Sequence, residues 1–216
     1  MSKLIIFDCD GTLVDSEVIA TQFFTKYWAT HGVFYTEDEF KETFIGTGRT
    51  AEVVVNNFAK MPAHADEEGR ALFHEAIKKD LQVIEGIPEL LSSLKTDMCV
   101  ASNSPLNYVK GALAKTQIDS YFGEFVFSAE QVVNPKPAAD LFLHAASTCG
   151  HHPKDCIVVE DSVSGVLAAK NANMKVIGFT GAGHFIPSLE NRLKELNPDW
   201  FCSSTDELKI LLSSFE

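Results

Sequence analysis

Long hydrophobic runs are absent from this sequence. No apolar stretch approaches the roughly 20 residues that a membrane-spanning helix needs. The opening residues, MSKLIIFDCD, become acidic too early for a signal peptide. We therefore expect a cytoplasmic protein that has no membrane partner.

Cysteines are few and are not clustered along the chain. The five cysteines are odd in number and widely scattered, at Cys9, Cys99, Cys149, Cys156 and Cys202. This pattern argues against a disulfide framework or a zinc cluster and favours reduced thiols, in agreement with a cytoplasmic location. Cys9 is expected to be a small core residue.

Basic residues are also scarce. The chain has 18 lysines and arginines against 30 aspartates and glutamates, so its formal net charge is −12. Such an acidic protein is not expected to bind nucleic acid or an anionic membrane surface. A negatively charged substrate would have to be attracted by local positive groups against the field of the whole protein.

The apolar residues that are present form short strand-like runs alternating with helix-like segments. Strands are predicted at Leu4–Phe7, Met98–Ala101, Phe125–Phe127, Cys156–Val159, Val176–Phe179 and Trp200–Cys202. Helices are predicted at Leu106–Lys115, Ala138–Cys149, Val163–Ala172 and Asp206–Leu212. This alternation is typical of βαβ units, so we predict an α/β fold with a parallel, Rossmann-like sheet covered by helices.

The segment between the first two strands differs from the rest of the chain. Its apolar residues have helical spacing, as in the stripe from Val18 to Tyr27, and it has little strand signal. We interpret residues 16–84 as an inserted helical cap domain, with its second hinge at residues 85–88. Residues 1–15 and 85–216 would then form the core domain.

Two carboxylates, Asp8 and Asp10, follow the first strand in the run FDCDGTLVDSE. Side chains alternate along an extended chain, so both point the same way, about 7 Å apart at roughly 3.3 Å per residue. Carboxylates placed in this way repel each other unless a cation or a shared proton offsets the repulsion. The pair therefore predicts a functional site.

Further polar residues follow the other strands, at the edge of a parallel sheet where ligands bind. They are Ser102 and Asn103 after the second strand, Lys136 between two prolines after the third, and Glu160 and Asp161 after the fourth. Several hard oxygen ligands suit Mg²⁺, which prefers carboxylates, waters and a substrate phosphate. One of the two paired aspartates can then act as a nucleophile while the other serves as general acid and base. Ser102 and Lys136 can hold phosphoryl oxygens as their charge develops.

These motifs resemble the four motifs of the haloacid dehalogenase (HAD) superfamily. They read DCDGT at residues 8–12, SNS at 102–104, KP at 136–137 and EDS at 160–162. The insert lies where members with a small helical cap carry it, as in the phosphoglycolate phosphatase and β-phosphoglucomutase branch. The resemblance implies a phosphoaspartyl enzyme with Asp8 as nucleophile and Asp10 as acid and base. It also implies that Mg²⁺ is held by Asp8, the backbone carbonyl of Asp10, Asp161, and Glu160 directly or through water.

Substrate contacts from the cap are predicted in the run GTGRTA at residues 46–51. The run nearly fits a dinucleotide-binding fingerprint, but a helix-like segment at Thr36–Ile45 precedes it instead of a strand, so we reject that interpretation. We expect Thr47 and Arg49 of this loop, together with Asn103 of the core, to contact the substrate.

Two positions late in the chain, Asn173 and His184, lie outside the four motifs. The family commonly has Ala-Gly-Met after the helix of the fourth motif, whereas this chain has Asn173 in place of the glycine. Asparagine tolerates a left-handed helix cap better than most residues, so we expect no damage. His184, in the glycine-rich loop that begins at Gly181, is expected to lie away from the site.

The preferred interpretation is a Mg²⁺-dependent phosphatase that hydrolyses a small phosphorylated metabolite, a sugar or sugar-acid phosphate. The main alternative is an isomerase of the β-phosphoglucomutase type, which shares every core residue but has a histidine at the position of Ala20. A dehalogenase is disfavoured, because dehalogenases generally lack the acid found here as Asp10. A non-enzymatic metabolite-binding module would be expected to have lost an acid or Lys136. Nothing in the sequence predicts the oligomeric state.

Overall fold

Six parallel strands form one sheet in the computed structural model, which describes residues 3–46 and 63–215. The strands are β1 (Leu4–Phe7), β2 (Asp97–Ser102), β3 (Val126–Ser128), β4 (Cys156–Glu160), β5 (Lys175–Phe179) and β6 (Trp200–Cys202). Their order across the sheet is β3-β2-β1-β4-β5-β6, so β1 and β4 lie at its centre. The predicted parallel α/β fold is confirmed.

Helices connect the strands and also form the insert after β1. They are α1 (Ser16–Thr30), α2 (Glu37–Phe44), α3 (Ala63–Asp80), α4 (Ile87–Ser93), α5 (Leu106–Lys115), α6 (Asp140–Thr148), α7 (Val163–Asn171), α8 (Pro187–Glu195) and α9 (Thr205–Phe215). Within the described ranges, no helix combines the length and the apolar character that a membrane crossing requires.

Several helices differ from the sequence-based prediction, and helix α4 (Ile87–Ser93), which begins in the predicted hinge at residues 85–88, was not predicted. Helix α6 begins two residues later than expected, because the N–H of Ala138 donates to the carbonyl of Pro135 (2.9 Å) and closes a turn there. Helix α8 was not predicted at all. Its sequence signals are Pro187 at the first helical position and two buried leucines, Leu189 and Leu193, four residues apart.

Helices cover both faces of the sheet. Because side chains alternate along a strand, Ile5 and Phe7 pack on one face while Leu4 and Ile6 pack on the other, and all four are fully buried. Burial on both sides explains why β1 is a continuous apolar run instead of an alternating one. Cys9 is fully buried as well, which confirms its predicted place in the core.

The helical insert has its own apolar cluster and rests on a helix of the core. Trp28 and Phe40 are buried members of this cluster, and Leu189 of α8 packs among them. Arg192 of α8 also donates a hydrogen bond to the carbonyl of Glu42 in α2 (2.8 Å). Helix α8 is thus the part of the core that supports α2, whereas the exact domain boundaries remain a prediction.

Two helix ends follow from local chemistry. Thr36 and Glu39 cap α2 reciprocally: the Glu39 N–H donates to Thr36 Oγ1 (3.2 Å) and the Thr36 N–H donates to Glu39 Oε2 (2.8 Å). After α7, Asn173 has a φ of +56°, so it adopts the left-handed conformation that asparagine tolerates. The family's glycine is therefore not required at this position.

Candidate active site

A cavity of about 600 Å³ lies between the carboxyl ends of the strands and the helical insert. The core side of its lining includes Asp8, Asp10, Ser102, Asn103, Lys136, Glu160 and Asp161. The insert side includes Glu17, Ala20, Phe24, Arg70, Phe73 and His74. Strands β2, β1 and β4 end side by side, which is why residues far apart in the sequence meet here. Thr47 and Arg49, predicted for this site, lie outside the described residues.

Lys136 joins two of the acids at the floor of the cavity. Its Nζ lies 2.7 Å from Asp8 Oδ1 and 2.6 Å from Glu160 Oε1, and 4.7 Å from the centre of the Phe142 ring. Burial lowers the pKa of Lys136, but the charges of Asp8 and Glu160 outweigh burial and raise the pKa overall. The lysine therefore stays protonated and serves as the counter-ion of both acids.

The backbone of Lys136 is fixed by Asn103. The side-chain amide of Asn103 donates to the Lys136 carbonyl (3.1 Å), and its oxygen accepts from the Lys136 N–H (3.0 Å). Next to it, Ser102 is buried and its Oγ accepts from the N–H of Ser104 (3.0 Å). Asn103 thus ties the loop after β3 to the end of β2 and directs the lysine side chain into the cavity.

Three buried carboxylates form a compact acidic group. Asp8, Glu160 and Asp161 each offer an oxygen within 4.8 Å of the others. Burial raises the pKa of Asp8 to about 7, although Lys136 opposes the rise, and burial followed by Glu160 and Asp8 raises the pKa of Asp161. Lys136 is one positive charge against three acids, so the group favours a divalent cation with oxygen ligands.

Asp161 accepts a hydrogen bond on one oxygen and lies close to a histidine at the other. Thr12 Oγ1 donates to Oδ1 (3.3 Å), and His184 Nε2 lies 3.4 Å from Oδ2. A Cβ on Gly11, whose φ is +73°, would stand 2.0 Å from Oδ2, so only glycine leaves room for this carboxylate. Our expectation that His184 lies away from the site is wrong, because the loop after β5 places it against Asp161. Burial, followed by the charge of Lys41, lowers the pKa of His184 to about 4, so the ring is neutral.

Glu160 is fixed at the point where β4 passes into α7. Its Oε2 accepts from the N–H (3.0 Å) and from the Oγ (2.9 Å) of Ser162, while its Oε1 accepts from Lys136. The same Ser162 hydroxyl caps α7 by accepting from the N–H of Gly165 (3.0 Å). A Cβ on Gly165 would stand 1.8 Å from the Glu160 carboxyl carbon, so the helix can approach this acid only through a glycine.

Asp10 lies in a different environment from the acidic group. Its Oδ1 accepts from Ser16 Oγ (2.7 Å) and Tyr108 Oη (2.8 Å), and its Oδ2 accepts from Ser104 Oγ (2.7 Å). Burial, followed by the charge of Asp10, raises the pKa of Tyr108, so the phenol remains a donor. These three donors were not predicted from the sequence. Ser104 is part of the SNS motif and could have been found there, whereas nothing in the sequence singles out Tyr108.

Known proteins resemble this chain in sequence and in structure. A family model described as haloacid dehalogenase-like hydrolase matches residues 5–179. The chain is similar to the 6-phosphogluconate phosphatase of Escherichia coli (strain K12), with 31% identity over 194 residues that cover 87% of each chain. It is also similar to a phosphorylated carbohydrates phosphatase of Thermotoga maritima, with 28% identity over 182 residues that cover 81% of this chain and 83% of that one.

Two solved structures are similar over nearly the whole chain. A haloacid dehalogenase-like protein from Agrobacterium tumefaciens gives a TM-score of 0.89 at 35% identity and covers 99% of both chains. A HAD-family hydrolase from Deinococcus radiodurans, solved with bound phosphate and sodium, gives a TM-score of 0.86 at 27% identity, covering 99% of this chain and 96% of that one.

Proposed function

This chain belongs to the haloacid dehalogenase-like hydrolase family and is a phosphoric monoester hydrolase, and we propose that it cleaves a small sugar or sugar-acid phosphate through an aspartyl phosphate. The observation that carries the proposal is the ion pair between Lys136 and Asp8 at the floor of the cavity. A carboxylate kept beside a buried lysine, with Glu160 and Asp161 adjacent, is suited to attack phosphorus while charge accumulates around it.

Asp8 and Asp10 have different roles in the proposed reaction. Asp8 forms a bond to phosphorus as the bond from phosphorus to the leaving oxygen breaks, and Asp10 gives its proton to that oxygen. Asp10 then takes a proton from the water that attacks the phosphoryl group, which releases phosphate and restores the Asp8 carboxylate. Ser102 and Lys136 hold the phosphoryl oxygens during both steps.

We propose that Mg²⁺ is held by Asp8, Asp161 and the backbone carbonyl of Asp10. Glu160 would act through a water molecule, because both of its oxygens already accept hydrogen bonds from Lys136 and Ser162. When bound, the ion neutralises negative charge on the phosphoryl oxygens. The residues fit such an ion, because three buried acids are only partly compensated by one lysine.

The size and charge of the cavity support a small, polar substrate. A volume of about 600 Å³ is typical of a metabolite site. Lys136 and Arg70 are cations that line the cavity, Lys136 on the core side and Arg70 on the insert side. His74 follows Arg70 by one helical turn, so both can meet a second polar or acidic group of the substrate. A relative named for 6-phosphogluconate, which has a carboxylate as well as a phosphate, agrees with this interpretation.

The proposal is tested by measuring phosphate released from a panel of phosphorylated metabolites in the presence of Mg²⁺. The panel should include 6-phosphogluconate and glucose 6-phosphate, which differ at the carbon that carries the carboxylate. We expect chelation to abolish release, Mg²⁺ to restore it and Ca²⁺ to inhibit, because Ca²⁺ takes more ligands in a looser geometry. Asp8→Asn is the matched inactive control. Undiminished turnover by this variant or after chelation would overturn the mechanism.

A further inference from the structure

Three hydroxyl groups surround the carboxylate of Asp10. Ser16, the first residue of α1, and Tyr108 of α5 both donate to Oδ1, and Ser104 of the loop after β2 donates to Oδ2. The three distances are 2.7, 2.8 and 2.7 Å, so each is a full hydrogen bond. One donor belongs to the insert and two belong to the core.

These three hydrogen bonds limit the directions from which Asp10 can exchange a proton. An ionised carboxylate has about four acceptor directions, two on each oxygen. Both directions of Oδ1 are taken by Ser16 and Tyr108, and one direction of Oδ2 is taken by Ser104. Among the contacts of residues 3–46 and 63–215, a single acceptor direction on Oδ2 is left for a reacting group. The hydroxyl groups therefore select which oxygen of Asp10 exchanges protons, and from which side.

Tyr108 is the most rigid of the three donors. Serine hydroxyls can rotate to other acceptors, whereas the position of a phenol is set by the packing of its ring. The Tyr108 ring packs against the core cluster that covers one face of the sheet, and it lies 6.2 Å from the ring of His74 in α3. The phenol is thus fixed between core and insert, with its oxygen directed at Asp10.

We propose that Tyr108 is a positioning residue that holds Asp10 with one free acceptor direction, so that Asp10 receives the proton of the hydrolytic water. This inference rests on the proposed function of Asp10 as acid and base. Tyr108 does not exchange a proton in the reaction. Its role is to keep the carboxylate oriented through both steps, and its loss leaves substrate binding at Lys136 and Ser102 intact.

The test uses Tyr108→Phe with p-nitrophenyl phosphate and 6-phosphogluconate as substrates. The nitrophenolate group leaves without protonation, so formation of the phosphoenzyme from this substrate does not need Asp10, whereas its hydrolysis does. We expect kcat to fall about 10- to 100-fold for both substrates, as for loss of a hydrogen bond to a charged group. KM for 6-phosphogluconate, for which both steps are slowed, should stay within twofold, whereas KM for p-nitrophenyl phosphate should fall together with kcat because the phosphoenzyme accumulates. On rapid mixing, the variant should release close to one equivalent of nitrophenolate per enzyme before a slow phase.

The matched control is Tyr121→Phe. Tyr121 packs against the same core cluster and loses the same single oxygen, but it is not part of the described cavity lining. This control should keep the wild-type rate and show no new burst. Ser104→Ala removes the donor to Oδ2 and should produce the burst as well, which keeps the test available if Tyr108→Phe is poorly folded.

The possible failures are distinguishable. A merely structural role would lower the melting temperature and the active fraction, which reduces the burst and the slow phase equally. That result, or a kcat within threefold of wild type, would overturn the inference while leaving the proposed function standing. If wild type and Tyr121→Phe both fail to release phosphate from either substrate, the proposed function fails and the inference falls with it.

Discussion

His184 Nε2 lies 3.4 Å from Asp161 Oδ2, and this contact joins the loop after β5 to the acidic group of the active site. The histidine is buried and neutral, and its Nδ1 has no hydrogen-bond partner among the described residues. Thr12 donates to the other oxygen, so the Asp161 carboxylate has a neighbour on each side and would move away from both by rotating. The contact therefore fixes the orientation of a proposed metal ligand.

We expect His184→Ala to weaken Mg²⁺ binding about 10- to 100-fold, as is typical when a group that orients a metal ligand is lost. His184→Gln, which keeps a donor at a similar distance, should restore most of the affinity. The measurement is a calorimetric titration of the metal-free protein. His144→Ala serves as a control, because His144 packs against Phe127 and is not among the described cavity residues. Equal affinities for His184→Ala and wild type would contradict this prediction.

Lys136→Met should damage both activity and stability. It removes the charge that faces the phosphoryl group, so turnover should fall by about a hundredfold or more. It also leaves Asp8 and Glu160 buried without their counter-ion, which should cost about 3–5 kcal/mol in the free energy of unfolding of the metal-free protein. Phosphate release and urea unfolding measure the two effects.

The control for Lys136→Met is Lys175→Met. Lys175 pairs with Asp199 at 2.5 Å, but more than half of the lysine side chain is exposed, so this substitution should cost less than about 1 kcal/mol. A two- or threefold loss of turnover in Lys136→Met would mean that Lys136 lies outside the functional site. Equal stability losses in both variants would contradict the cost stated for leaving Asp8 and Glu160 without their counter-ion.

The environment of Glu17 implies that the free energy of unfolding depends on pH in a specific way. Burial, followed by the charges of Asp10, Asp8 and Asp15, raises the pKa of Glu17 to about 8 from its ordinary value of 4.5. The folded protein therefore binds a proton that the unfolded chain releases above pH 4.5. The stability associated with that proton is complete below pH 4.5 and is lost as the pH rises through 8.

Glu17→Gln should consequently leave the melting temperature unchanged at pH 4 and raise it at pH 9, measured without metal. The exposed Glu124→Gln provides a control for the loss of one negative charge and should show no such trend. If the stabilisation by Glu17→Gln is the same at both pH values, the carboxyl group of Glu17 is not perturbed as stated.

The alternative of a mutase is tested with β-glucose 1-phosphate, Mg²⁺ and a trace of the 1,6-bisphosphate. Ala20 lines the cavity at the position where the resemblance places a histidine in the mutase, and alanine can neither donate a hydrogen bond nor titrate. Asp10 should then activate water as soon as the leaving alcohol departs, so hydrolysis should prevail. Free phosphate and glucose 6-phosphate are measured separately. Glucose 6-phosphate accumulating many times faster than phosphate would overturn the hydrolase assignment.

Much of this protein follows from local sequence patterns. The strand at Leu4–Phe7 and the grouping of the acids after it could be predicted from simple geometry. Side chains alternate along any strand, and the carboxyl ends of parallel strands meet at one edge of the sheet. The start of α2 (Glu37–Phe44) could be predicted because its cap, formed by Thr36 and Glu39, is a contact within four residues. Helix α8 was not predicted, because its sequence signal, one proline and two leucines, is too short to distinguish a helix from a polar loop.

The roles of Tyr108 and His184, in contrast, could not be predicted from local sequence patterns. Tyr108 meets Asp10 across 98 positions of sequence, because α5 and β1 contribute to the same core cluster and Tyr108 lines the cavity. His184 reaches Asp161 because the loop after β5 folds back over the end of β4. The sequence by itself determined the fold class and the residue types at the strand ends. Only the tertiary structure decided which distant side chains hold the residues at the strand ends in place. This choice depends on how each helix is rotated about its axis and on the path of each loop, and both are set by the packing of the whole chain.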